Sequence, residues 1–302
     1  MSWNINLANT RIIPCEFEYY EPDSVDEAVR LLDKLGPEAK VIAGGTDLLV
    51  QVKMGVVKPK YIVNIKRIKE MYGVIDKGDH LFIGSLTTLR ELESSELVKN
   101  RFQALHEAVS SMGSWQIRCL ASIGGNLCNA SPAADTAPPL LVYNAELIIY
   151  GLNGFKTVSI NRFFKGPKKT ILNYNEILYG IKIPYENRRH SSVFIKIART
   201  SMDLAKVNIA VKLVIGENNI IEDVAIALGS VAPTPVRAFT VENYLKNKVF
   251  SEELIREGCK LVVRDINPIT DIRSTSEYRE HLSKILVYDS LIKAYNRLLK
   301  VM

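Results

Sequence analysis

Val41-Ile42-Ala43-Gly44-Gly45-Thr46-Asp47 and Ser122-Ile123-Gly124-Gly125-Asn126-Leu127-Cys128-Asn129-Ala130-Ser131-Pro132-Ala133-Ala134-Asp135 are the two stretches whose reading decides the fold. In the first, an apolar run too short for a helix empties into a glycine turn, the pattern of a short buried strand followed by a tight loop. The second repeats that strand-to-loop transition at Ser122-Ile123-Gly124-Gly125-Asn126. Neither matches the dinucleotide fingerprint G-x-G-x-x-G or a P-loop. Adjacent glycines lack Cβ atoms, so a phosphate can approach the backbone and several successive N–H groups can converge on its oxygens. Either pair alone reads better as a plain tight turn after a strand. Two of them can grip a diphosphate from both sides, and the small-residue run after Gly125 leaves room for a ligand. Asn126 and Asp135 can then fix its sugar or phosphate groups.

Outward from these motifs, helices and strands alternate. Ser24-Val25-Asp26-Glu27 and Thr88-Leu89-Arg90-Glu91 are capping boxes ahead of helical periodicity, and Gly36-Pro37 ends the first of those helices. Tyr61–Ile65, Leu81–Gly84, Leu147–Tyr150 and Ile181–Pro184 read as strands, and a helix is expected around Phe102–Met112. The polar stretch Glu186–Ser192 reads as a linker, so a boundary is expected near residue 187. Strands at Ala210–Ile215 and Val224–Leu228 follow. From Ser251 onward, apolar residues at three- and four-residue steps predict helices covering a sheet. The expectation is an α+β chain with domains over 1–187 and 188–302.

Composition narrows the class. With 302 residues, 47% hydrophobic and 24% charged, an ordered globular chain is expected. No apolar run reaches the length of a membrane span, and the amino terminus lacks signal-peptide regions, so the chain is read as cytoplasmic. Cys15, Cys119, Cys128 and Cys259 form no C-x-x-C pair, and no metal site is expected on this chain. The net charge of +6 is spread along the sequence without a basic block, which argues against nucleic acid.

The two glycine motifs closely resemble the FAD loops of the xanthine dehydrogenase family's flavin domain. The likeness extends to Leu86–Leu92, Glu176–Pro184, Lys196–Asp203 with Ala205, and the tail Asp271-Ile272-Arg273-Ser274-Thr275-Ser276-Glu277-Tyr278-Arg279. It therefore spans nearly the whole chain, at the length of a separate medium subunit. The resemblance implies a two-part FAD-binding domain of the vanillyl-alcohol-oxidase type followed by a smaller α+β domain. It also implies FAD held non-covalently by Val41 to Asp47, Ser122 to Asn126 and Asp135. Tyr179, Lys196 and Asp203 fall where the family has flavin contacts. A lysine beside a flavin favours negative charge on the ring and raises its potential. Read without the resemblance, Lys196 is a surface charge, Tyr179 a core residue and Asp203 a turn cap.

The implied partners are a small subunit with two [2Fe-2S] clusters and a large subunit with the molybdenum cofactor, assembled as a dimer of heterotrimers. The flavin would pass electrons to NAD, a quinone or oxygen, and no residue of this chain would act on the organic substrate. One branch of the family carries a further [4Fe-4S] cluster on an inserted four-cysteine loop, which this chain lacks. The rival reading is a stand-alone flavin oxidase of the same fold. His80, His106, His190 and His281 all lie outside the motifs, so covalent flavin attachment has no candidate.

Overall fold

The computed structural model describes residues 13–300, in which three main sheets are packed in sequence order. The first is parallel, with Tyr61–Asn64 between Glu18–Tyr20 and Ala39–Ile42. Helix Val25–Leu35 crosses between the outer two strands and buries Val25, Ala28, Val29 and Leu32. Its start follows the sequence: the Ser24 side chain accepts from the Glu27 N–H, and Glu27 in turn accepts from the Asp23 N–H at 2.9 Å. Gly36, at φ +74°, stops it. Ala39–Ile42 is an edge strand with Val41 36% exposed, so the run expected to be buried has one open side. That side faces the cleft described below.

The second sheet is antiparallel, in the order Val74–Asp76, His80–Gly84, Ile177–Pro184, Glu146–Gly151, Gly154–Ser159. Leu81, Ile83, Leu147, Ile149, Ile181 and Ile183 alternate onto one face. Against that core pack Leu89–Ser94, Gln103–Ser110 and Ala137–Val142. Thr88 and Glu91 form the complete capping box. Pro138 and Pro139 occupy the opening turn of Ala137–Val142, where a missing N–H costs nothing.

The third sheet joins His190–Ile197, Val207–Ile215, Ile221–Gly229 and Val236–Arg237. All nine residues of Val207–Ile215 are buried because both faces are covered. Val207, Ile209, Val211 and Leu213 meet the carboxy-terminal helices, including Ser276–Lys300. Phe194 and the small residues Ala210, Ala225 and Ala227 share the core of the second sheet and its helices. The end of the polar stretch at 186–192 is built into this sheet: Ser191 and Ser192 are buried and donate to or share bonds with Ala294 O and the Tyr143 hydroxyl. Glu107 adds a second tie, accepting from the Phe194 N–H at 2.8 Å and pairing with Arg297.

At the same seam Glu186 meets Arg188 at 2.7 Å and buried Lys212 at 3.3 Å. The Arg188 side chain is the main reason its carboxyl is held down from 4.5 to about 2, against the opposing effect of burial. A depressed carboxylate stabilises the fold above its unfolded pKa, and the contribution is lost as pH falls through the folded one. Thermal melts from pH 6 to pH 2 should therefore show Glu186→Gln converging on the parent between about 4.5 and 2. A constant difference across that window would refute the assignment. Among the described residues, no helix is long and apolar enough to cross a membrane.

Candidate functional site

The two glycine motifs lie back to back. The loop after Ala39–Ile42 leaves the carboxyl end of a parallel strand, the usual place for a ligand crevice. Gly44 presses so closely on the end of helix Trp115–Leu120 that a Cβ there would stand 1.9 Å from Leu120 O. Two residues later the second motif begins. All of 41–47, Ser122, Gly124 to Asn126, Asp135, Lys196 and Asp203 line one cleft of about 610 Å3.

The motifs do different work. The second, expected as a strand running into a loop, is the helix Ile123–Cys128, capped by the Ser122 hydroxyl on the Gly125 N–H. Glycine propensity argues against a helix, but docking onto the turn after His80–Gly84 overrides it. The Ile123 N–H donates to Thr87 O and the Gly124 N–H to Ser85 O at 2.8 Å. A Cβ on Gly124 would sit 2.6 Å from that same carbonyl. The amides expected to cradle a phosphate are therefore already spent on the protein, and the expectation is corrected for this motif. What it offers the cleft is the open face of Gly125 and the Asn126 side chain.

In the first motif the amides are available. Among the described residues, the N–H groups of Gly44, Gly45, Thr46 and Asp47 make no hydrogen bond within the chain. Gly45 adopts φ +72°, a conformation that curves successive N–H groups into an anion-binding concavity.

At the other wall the Lys196 ammonium lies 2.7 Å from Asp135 Oδ2, with side chains only 7% and 5% exposed. Lys196 is thus neither a surface charge nor unpaired. Asn208 donates to Asp135 Oδ1 at 2.5 Å, and Lys196 also reaches Ser111 O at 3.4 Å. Burial pushes the Asp135 carboxyl above its ordinary value, and Lys196 and Asn208 pull it only part of the way back. Asp203 lines the cleft and also caps its own turn, accepting from Arg199 at 2.7 Å and from the Leu204 N–H. Cys128 is a cleft residue whose thiol burial pushes up to about 12, so it stays protonated.

Two candidates lie elsewhere. Ile123 is fully buried in the core of the second sheet. Tyr179 packs its ring against Phe82 and Phe155, away from the cleft, while Leu178 lines it. An irregularity in the ladder between Leu178 and Gly180 shifts the alternation there. Sequence reasoning also missed Lys168, whose ammonium donates to Asn129 Oδ1 at 2.6 Å on the cleft wall. Its hairpin position carries no local signal of that contact.

A crevice with loop amides unpaired among the described residues on one side and a buried ion pair on the other suits an extended, phosphate-bearing ligand. Residues 15–186 match the family described as "FAD binding domain in molybdopterin dehydrogenase", and residues 192–294 match "CO dehydrogenase flavoprotein C-terminal domain". The chain is 34% identical to the glyceraldehyde dehydrogenase medium chain of Sulfolobus acidocaldarius, over 90% of this chain and 96% of that one. It is 33% identical to the xanthine dehydrogenase FAD-binding subunit of Escherichia coli, over 87% and 91%. The structure of carbon monoxide dehydrogenase from Hydrogenophaga pseudoflava lacking the Mo-pyranopterin moiety superposes with a TM-score of 0.92 at 32% identity, covering 95% and 99%. This chain belongs to the FAD-binding medium subunits of the molybdenum hydroxylases, and it is an oxidoreductase component with the two-domain fold of that family.

Proposed function

We propose that this cleft holds FAD and that the chain passes electrons through it, from [2Fe-2S] clusters of a partner subunit to an external acceptor such as NAD, a quinone or oxygen. The observation that carries the reading is the run of amides from Gly44 to Asp47, without partners among the described residues, in a crevice whose far wall holds Lys196 and Asp135. FAD, when bound, would supply a group that takes electrons one at a time, as a [2Fe-2S] cluster gives them, and releases them singly or in pairs. The loop amides would hold the diphosphate, Gly125 would leave it room, Asn126 would bond a neighbouring polar group of the cofactor, and Asp135 and Asp203 would accept from its hydroxyl or N–H groups. Lys196 has three N–H donors, so one beyond those given to Asp135 and Ser111 can face the flavin. Ile123 and Tyr179 back the site without touching the cofactor.

The names medium chain and FAD-binding subunit describe one chain among several. We extend that to a small [2Fe-2S] subunit, a large molybdenum-cofactor subunit and a cytoplasmic dimer of heterotrimers. Apolar side chains at and beside the cleft rim support a covering partner: Leu120, Met202 and Leu204 are 60%, 62% and 52% exposed. The division 1–187 and 188–302 is supported by the ends of the family matches at 186 and 192.

The test is to purify the chain, record its visible spectrum before and after excess FAD, and reduce it anaerobically. A flavin band that bleaches, with FAD released on denaturation, is expected. Reoxidation by NAD and by oxygen, tried separately, then identifies the acceptor. A folded chain that retains no flavin after incubation with excess FAD and removal of the free cofactor would sink the reading.

A further inference from the structure

The tail segment Asp271 to Arg279, conspicuous in the sequence, contributes nothing to the cleft lining. It is nonetheless wired to it. Arg279 is 3% exposed and donates from Nη1 to Ser230 O at 2.6 Å and from Nη2 to Asp271 Oδ1 at 2.7 Å. Asp271 is fixed in turn by the N–H groups of Arg273 and Ser274, at 2.9 and 3.2 Å. A buried guanidinium held by an anchored carboxylate is a rigid fork, and the other group it holds is the Ser230 carbonyl.

Ser230 ties together the two segments that carry the cleft residues Asp135 and Asp203. Its N–H donates to Pro132 O at 2.8 Å, and its hydroxyl donates to Ala205 O at 2.9 Å. Pro132 belongs to the run that ends at Asp135, and Ala205 follows Asp203 and Leu204. Ser230 also sits at φ +65°, where a residue with a Cβ is strained relative to glycine. Glycine would relieve that strain, but it has no hydroxyl for Ala205. Such a conformation persists only where its surroundings over-determine it, and here Arg279, Pro132 and Ala205 do so from three sides.

We propose that Ser230, locked by Arg279, is a positioning residue that fixes the wall carrying Asp135 against the wall carrying Asp203, and so sets the width of the cleft. The cofactor arm of this inference rests on the FAD reading; the structural arm does not. The experiment compares Ser230→Gly and Arg279→Lys with the parent full-length chain by thermal melting, amide hydrogen exchange and FAD titration. Ser230→Gly is expected to melt no lower than the parent, because relief of strain offsets one lost hydrogen bond. Amides in 131–135 and 202–206 should exchange about tenfold faster, the equivalent of one such bond. FAD should dissociate at about tenfold higher concentration. Arg279→Lys keeps the charge but not the fork, and it should loosen the same two segments. If it fails to fold, Ser230→Gly decides alone. Unchanged exchange in both segments would overturn the clamp, as would loosened segments with parental FAD affinity. A parent that takes no FAD at all would refute the cofactor reading, and the exchange comparison would still decide the clamp.

Discussion

Gly125→Leu should give a folded chain that no longer retains FAD, whereas Gly44→Ala and Gly124→Ala should lose stability before any ligand is added. The contrast follows from what a Cβ meets. At Gly44 it meets the Leu120 backbone at 1.9 Å, and at Gly124 the Ser85 side chain and carbonyl at 2.5 and 2.6 Å. Backbone cannot step aside as a flexible side chain does, so each alanine should cost about 3 kcal/mol, the upper range for overpacking. At Gly125 the nearest atom is the Ser122 hydroxyl at 3.0 Å, and beyond it lies the cleft. A helical site also favours a residue other than glycine by about 0.5 to 1 kcal/mol, so the apo protein should melt within a few degrees of the parent. Its side chain would then fill space the cofactor needs, and retention should fall by about two orders of magnitude, the equivalent of about 3 kcal/mol of lost contact. Thermal melting of apo protein and a flavin-band titration read the two effects separately. Parental FAD affinity in Gly125→Leu, or parental stability in Gly44→Ala, would break the division of labour between the glycines.

That division was not legible in the sequence, although the motifs were. Ser24 and Thr88 could be read as caps because a cap is settled within four residues. The strands of the antiparallel sheets could be read because alternation at Leu81 and Ile83 or Ile181 and Ile183 is local as well. Whether the Gly124 amide is free depends on Ser85 O, a partner far away in the chain, and no local pattern reports it. The same holds for the helix Ile123–Cys128, which two glycines disguise and tertiary docking enforces. Tyr179 and Leu178 exchange roles because an irregular ladder breaks the period of two. Lys196 was singled out only through the family resemblance, since its partner Asp135 comes from another domain and charge pairing leaves no periodic trace.

Lys196→Met should be the most damaging single change to a side chain in the cleft. Removing the ammonium leaves Asp135 buried with Asn208 as its remaining side-chain donor, and breaking a buried pair in this way costs about 3 to 5 kcal/mol. Burial already holds the Asp135 carboxyl above its ordinary value, and loss of the cation pushes it higher. A carboxyl raised in the folded state gives stability that is full below its unfolded pKa and lost as pH rises through the folded one. The variant should therefore be closer to the parent at pH 5 than at pH 8. Lys196→Met combined with Asp135→Asn removes the stranded charge and should recover part of the loss, a non-additivity that a double-mutant cycle measures by denaturant unfolding. The neutral pair still lacks a cation to favour negative charge on the reduced flavin, so the double variant should fold well yet bind FAD at a lower reduction potential than the parent. Recovery of stability without recovery of potential assigns Lys196 to both the wall and the cofactor. Full recovery of both would make the lysine a structural counter-ion and nothing more.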